Sequence, residues 1–102
     1  MKLIYIIGPY RAKTPNGIRD NIERARAEAV RILQSGDFPV CPHTNTGYMD
    51  GVVDDQVFLD GDLMLLRRCH EAHVLPGWEK SQGSSTELAH AREWGMPITM
   101  VE

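Results

Sequence analysis

The sequence predicts a small three-layer α/β sandwich, with about four parallel strands and helices on both faces of the sheet. Three observations lead there. Leu3-Ile4-Tyr5-Ile6-Ile7 is an unbroken apolar run closed by Gly8-Pro9, as in a strand buried on both faces. Two further short apolar runs, Phe38–Cys41 and Ala72–Leu75, end in Pro42 and in Pro76-Gly77. Between these runs the apolar residues recur at helical spacing, so strand and helix alternate along the chain.

Each element follows in order. From Asn16 to Gln34, Ile18, Ile22, Ala25, Ala29, Ile32 and Leu33 keep helical spacing, while Arg19, Glu23 and Arg26 take other faces. Gly36 is a plausible stop. Pro39 cannot donate to a ladder, which predicts an edge position for the second strand. Residues 42–53 hold turn formers and no periodicity; a loop of that length in so small a domain is usually functional or mobile. Asp54 or Asp55 can cap a helix running to about Cys69. Ala72–Leu75 is the third strand. A polar turn from Glu79 to Ser84 opens a helix to Trp94, stopped by Gly95 and Pro97, and Ile98–Val101 is the last strand. Right-handed crossovers follow, and ligands of such sheets bind beyond the carboxyl ends of the strands. Three loops end there: 8–15, 42–53 and 76–84.

Composition narrows the classes. The 102 residues fit one domain, 1–102, with 42% apolar and 25% charged residues, ordinary for a soluble globular protein. A net charge of −3 gives no basis for a nucleic-acid polymer as partner. Two cysteines, Cys41 and Cys69, suggest no disulfide framework and a reducing cytoplasm. The N-terminal apolar run is too short for a signal sequence or a membrane span, so a cytoplasmic protein without a membrane partner is expected. Cys41, His43, Cys69, His70, His73 and His90 lack the spacing of a metal site. His73, on a strand, reads as a satisfied core histidine. Neither GxGxxG nor a Walker loop occurs, which disfavours dinucleotide dehydrogenases and triphosphate enzymes; no cofactor is expected.

Two carboxylates sit on the wrong face of their helices. At about 100° per residue, Asp62 falls in the middle of a stripe formed by Phe58, Leu59, Leu65, Leu66 and Cys69. A carboxylate there is either satisfied within the core or projects into the crevice. Leu63 and Met64 lie outside that stripe and suit a subunit contact. Glu87 shares a face with Ser84, Ala91 and Trp94. Two readings stand for it: a capping box with Ser84 as cap, or a carboxylate at the ligand edge, in the first turn where the helix dipole favours an anion. The turn Ser81-Gln82-Gly83-Ser84-Ser85 offers backbone N–H groups and hydroxyls suited to phosphate. Gly8-Pro9 allows close approach of a ligand, and Arg11 can pair with phosphate or simply be solvated. His43 lies in the crevice loop. Trp78 can stack on a base or pack within the fold.

Taken together, Tyr5-Ile-Ile-Gly-Pro-Tyr-Arg, Asp62-Leu-Met-Leu-Leu-Arg-Arg-Cys, Leu75-Pro-Gly-Trp-Glu and Ser81-Gln-Gly-Ser-Ser-Thr-Glu87-Leu-Ala-His-Ala resemble the nucleoside 2-deoxyribosyltransferases and the related deoxynucleoside 5′-monophosphate N-glycosidases, most of all a small branch found in phages and bacteria. The resemblance spans nearly the whole chain and implies a flavodoxin/Rossmann-like fold. It implies Glu87 as nucleophile, with Asp62 and Tyr5 as its partners. It implies that Ser81, Ser84, Ser85 and Arg11 hold a phosphate, and that a homodimer or higher homo-oligomer completes the site. His70 stands where the branch usually has an aspartate. Family transferases carry a longer C-terminal segment than this chain, which makes hydrolysis the expectation over base transfer. A nucleotide sensor without turnover is the alternative from a different class.

Overall fold

The computed structural model of residues 1–102 is built on a four-stranded parallel sheet. Its strands are Leu3–Ile7 (β1), Phe38–Val40 (β2), Glu71–Val74 (β3) and Ile98–Met100 (β4), in the spatial order β2-β1-β3-β4. The helices are Pro15–Gln34 (α1), a single turn Pro42–Asn45 (α2), Asp55–Arg67 (α3) and Gln82–Glu93 (α4). The three-layer α/β expectation therefore holds, with β2 and its Pro39 at an edge. No helix is long and apolar enough to cross a membrane.

β1 is central because its run is apolar on both sides. Tyr5 pairs with Val40 on one flank and Ala72 on the other. Tyr5 and Ile7 share a buried cluster with Ala72, Val74, Leu66 of α3, and Leu88 and Ala91 of α4. Ile4 and Ile6 point the other way, into a second cluster with Ala25 and Ile32 of α1. One sheet face thus carries α3 and α4, and the other carries α1. On the α1 face, His73 is satisfied as expected: its Nδ1 lies 2.7 Å from buried Glu28, which also takes Arg31 at 2.8 Å.

Several boundaries differ from the sequence expectation. α1 begins at Pro15, one residue early, because Thr14 caps it by accepting from the Gly17 N–H at 3.0 Å and proline suits the first helical position. The 42–53 segment is not wholly irregular, since proline again starts a turn of helix at Pro42. α3 has Asp54 at its cap position but no side-chain cap bond, and it ends at Arg67, two residues before Cys69. β3 starts at Glu71 and ends at Val74, and β4 ends at Met100. Within α3, Leu63 packs against the core cluster while Leu65 is exposed, so the buried face is rotated from the predicted stripe. Leu63 packs against the cluster that holds Leu88 and Ala91 of α4, the helix that neighbours α3.

Leu66 is fully buried where α3 meets the sheet. Leu66→Ala is expected to cost about 2–5 kcal/mol by leaving a cavity, read as a lower urea midpoint at unchanged slope.

Candidate active site

The strand order reverses direction between β1 and β3, and the chain parts there. A cleft of about 860 Å³ opens beyond the carboxyl ends of the strands. All three expected loops reach it: Gly8 to Arg11 after β1, Pro42, His43, Thr46 and Asp50 after β2, and Pro76, Gly77 and Lys80 after β3. The floor needs glycine. A Cβ on Gly8 would lie 2.7 Å from Leu75 Cδ1, and Gly77 sits at φ 89°, with its missing Cβ 3.3 Å from Pro9 Cγ.

Tyr5 and Glu87 meet beneath this cleft. The Tyr5 hydroxyl, on a residue with no exposure, donates to one carboxyl oxygen of Glu87, which is 8% exposed. The other carboxyl oxygen has no protein partner and belongs to a residue lining the cleft. Burial pushes Glu87 up to about 8; the Tyr5 hydrogen bond opposes that shift and the nearby Asp62 charge adds to it. Burial alone pushes Asp62 up to about 6. Tyr5 is driven far above its ordinary value by burial, then by the charges of Glu87 and Asp62. It is therefore a permanent donor. Asp62 lines the same cleft and is half-buried rather than sealed in the core. Two carboxyl groups thus share an environment that disfavours charging both.

The capping-box reading of Glu87 fails on geometry. α4 starts at Gln82, and its cap is Ser81, whose Oγ accepts from the Ser84 N–H at 3.2 Å. Glu87 is the sixth residue of the helix, too far along to return to the cap. For the same reason it lies beyond the first turn, and the helix dipole is not what holds it. Ser81, Gly83 and Ser84 line the cleft. The Ser84 hydroxyl is buried without a hydrogen-bond partner. Ser85 does not line the cleft; its hydroxyl donates to Trp78 O at 3.3 Å. Trp78 is also outside: it packs against the core cluster, with the Arg92 guanidinium 5.9 Å from its ring centre. The indole is thus packed against the core and α4 rather than lining the cleft.

The strap 8–11 is held by two buried side chains. His43, on α2, places Nε2 at 2.9 Å from Gly8 O and 3.1 Å from Pro9 O. Burial lowers its pKa, so the neutral ring donates through Nε2. His43 lines the cleft, but its bonding nitrogen is spent on the strap rather than on a ligand. Asn21 of α1 continues the pattern, its Nδ2 donating to Tyr10 O at 3.0 Å and Arg11 O at 3.3 Å. Arg11 reaches the cleft mouth, where Asp55 takes its guanidinium at 2.5 Å. Tyr10 clasps the 46–53 segment, donating to Asp50 at 2.5 Å and accepting from the Tyr48 N–H at 2.8 Å.

Asn21, Arg24, Asp50, Lys80 and Tyr10 line the cleft without a site role predicted from sequence, and Asp55, predicted only as a candidate helix cap, builds its mouth. Asn21 was findable. It lies between Ile18 and Ala25 on the apolar stripe of α1, the same anomaly that exposed Asp62. Arg24 and Lys80 carried no comparable signal.

A family model described as a domain of unknown function (DUF7768) matches residues 2–101. No curated protein matches the sequence. The fold is similar to that of the 2-deoxyribosyltransferase from the psychrotolerant bacterium Bacillus psychrosaccharolyticus, with a TM-score of 0.72 at 13% identity, covering 96% of this chain and 70% of that one.

The raised carboxyls set a sign for stability. A carboxyl whose pKa is higher folded than unfolded stabilises the fold below its unfolded value, and that contribution is lost as pH rises through the folded value. For Glu87 this window runs from its ordinary 4.5 to about 8, and for Asp62 from 3.8 to about 6. The urea midpoint is expected to fall between pH 5 and pH 8. Glu87→Gln, neutral at every pH, should flatten the decline and exceed the parent at pH 8.

Proposed function

We propose that this chain, which belongs to the DUF7768 family, cleaves the N-glycosidic bond of a nucleoside or deoxynucleoside 5′-monophosphate through a carboxylate nucleophile. The observation that carries this reading is the buried Tyr5–Glu87 pair, with one Glu87 oxygen free toward a cleft that Asp62 also enters. The fold it shares with a 2-deoxyribosyltransferase supports the same chemistry.

The free oxygen of ionised Glu87 attacks the anomeric carbon. The carbon–nitrogen bond breaks, and its electron pair leaves with the base. Asp62, half-buried and raised to about 6, delivers a proton to that base. The Tyr5 hydroxyl keeps the nucleophile oriented and steadies its charge. The transition state resembles an oxocarbenium ion, which the adjacent carboxylate stabilises. Water then attacks the same carbon, returns a proton to Asp62 and frees Glu87, giving hydrolysis; a second base in place of water gives transfer. Ser81, Gly83 and Ser84, at the start of α4, suit the sugar or its 5′-phosphate. An exposed apolar stripe on α3, Val57, Met64 and Leu65, suits a second copy of the chain.

A second reading, nucleotide binding without turnover, draws support from Glu87 itself. A carboxyl raised to about 8 is mostly protonated at neutral pH, and the protonated form attacks nothing. That reading expects an intact nucleotide to raise the melting temperature with no base released.

The glycosidase reading needs the pair to carry one proton, held by Asp62 while Glu87 is ionised, the reverse of the resting order that values near 6 and near 8 give. Base release from a panel of deoxynucleosides and their monophosphates should therefore follow a bell-shaped pH profile, with limbs near 6 and near 8. Glu87→Ala should abolish release while the fold persists, and Asp62→Asn should slow it by about 10²-fold or more. Undiminished release by Glu87→Ala would place the chemistry on another residue.

A further inference from the structure

Three cations line the cleft: Arg11, Arg24 and Lys80. They are not equivalent. Arg11 is paired at the mouth, its Nη2 2.5 Å from Asp55 in an exposed ion pair. Lys80 is an exposed residue on the 3₁₀ turn Trp78–Lys80, and its flexible stem is not held by any side chain. Arg24 differs from both. It makes no ion pair, yet it is held: its Nη1 donates to Asn21 Oδ1 at 2.9 Å, one turn earlier on α1.

The holder explains the arrangement. Asn21 is 8% exposed, and its Nδ2 is committed to Tyr10 O and Arg11 O. With the amide nitrogen fixed on backbone, the amide oxygen has one direction left, and Arg24 occupies it. An amide orients a guanidinium without cancelling its charge; a carboxylate in that place would do both. A guanidinium has five N–H donors, and Asn21 uses one. α1 is twenty residues long and packed along the sheet, so this cation sits on a rigid support.

We propose that Arg24, presented by Asn21, is the cation with which the cleft recognises the phosphate group of a nucleotide, while Arg11 belongs to the architecture of the mouth. This assignment rests on the nucleotide reading above. It places an anion contact on the α1 wall, which approaches the cleft from the opposite sheet face to α4. The cleft then accepts a ligand that reaches both walls: a sugar over Glu87 and a phosphate toward Arg24.

The test compares a deoxynucleoside with its 5′-monophosphate on the parent protein, Arg24→Gln and Arg24→Lys. Two readouts run side by side: stabilisation on heating and base release. Arg24→Gln is expected to keep the unliganded melting temperature, because the side chain is exposed. Its apparent affinity for the monophosphate should fall roughly 10- to 100-fold, the scale of a charge-assisted hydrogen bond. Its affinity for the deoxynucleoside should not change, and Arg24→Lys should regain part of the loss. Equal affinity of parent and Arg24→Gln for the monophosphate overturns the assignment, as does an equal loss for both ligands. If the monophosphate stabilises the protein through Arg24 and no base appears, the assignment stands and the glycosidase reading falls. If base is released with the same KM by both proteins, the reverse holds. A parent protein that no 5′-monophosphate stabilises overturns this assignment outright.

Discussion

The Tyr5 hydroxyl and the Glu87 carboxyl face one another below the cleft, and the placement of the surrounding elements follows from the need to bury them together. Either group alone would be a buried polar atom without a partner, at a cost of about 1–3 kcal/mol and more if charged. Pairing them requires β1 to run through the middle of the sheet with Tyr5 on the α3–α4 face. It also requires α4 to begin early enough that its sixth residue stands over the ring. Ser81 provides that start by capping the helix, and Gly77 provides the turn before it. Leu88 and Ala91 then seat the rest of α4 on the same cluster that encloses the tyrosine.

Asp62 turns this packing feature into a chemical one. Brought over the same face by α3, it raises both members of the pair by its charge. Three titratable groups in one low-dielectric region cannot all ionise, and Tyr5 is the one that never does. What remains is a pair of carboxyls in unlike surroundings: Glu87 enclosed and bonded to a hydroxyl, Asp62 more open to the cleft. At rest the higher value of Glu87 holds the shared proton there, so the nucleophilic form is the one in which that proton has passed to Asp62.

Much of this was legible in the amino-acid order. The apolar run of β1, the helical spacing of α1 and the prolines and glycines that punctuate the chain predict the parallel sheet and its crevice. The position of Asp62 among leucines predicts a carboxylate needing an explanation, and Asn21, on the apolar stripe of α1, obeys the same logic. Less was legible where a side chain's fate depends on a partner distant in sequence. Nothing near Trp78 says that its indole turns under α4 toward Arg92. Nothing near Arg11 says that Asp55, 44 positions away, will pair with it. The cap of α4 is not decided by local chemistry, since Ser81, Ser84 and Ser85 are equally good caps. Only the 3₁₀ turn before them decides in favour of Ser81.

The strap after β1 has one more implication. Its four successive carbonyls, from Gly8 to Arg11, are all engaged by His43 and Asn21. Loops at such positions are commonly loose until a ligand orders them, and the ordering then subtracts from affinity. Here the conformational entropy of the strap is surrendered when the chain folds. The Tyr10 hydroxyl carries the same constraint across the cleft, because it ties the 46–53 segment to the strap through Asp50 and the Tyr48 N–H.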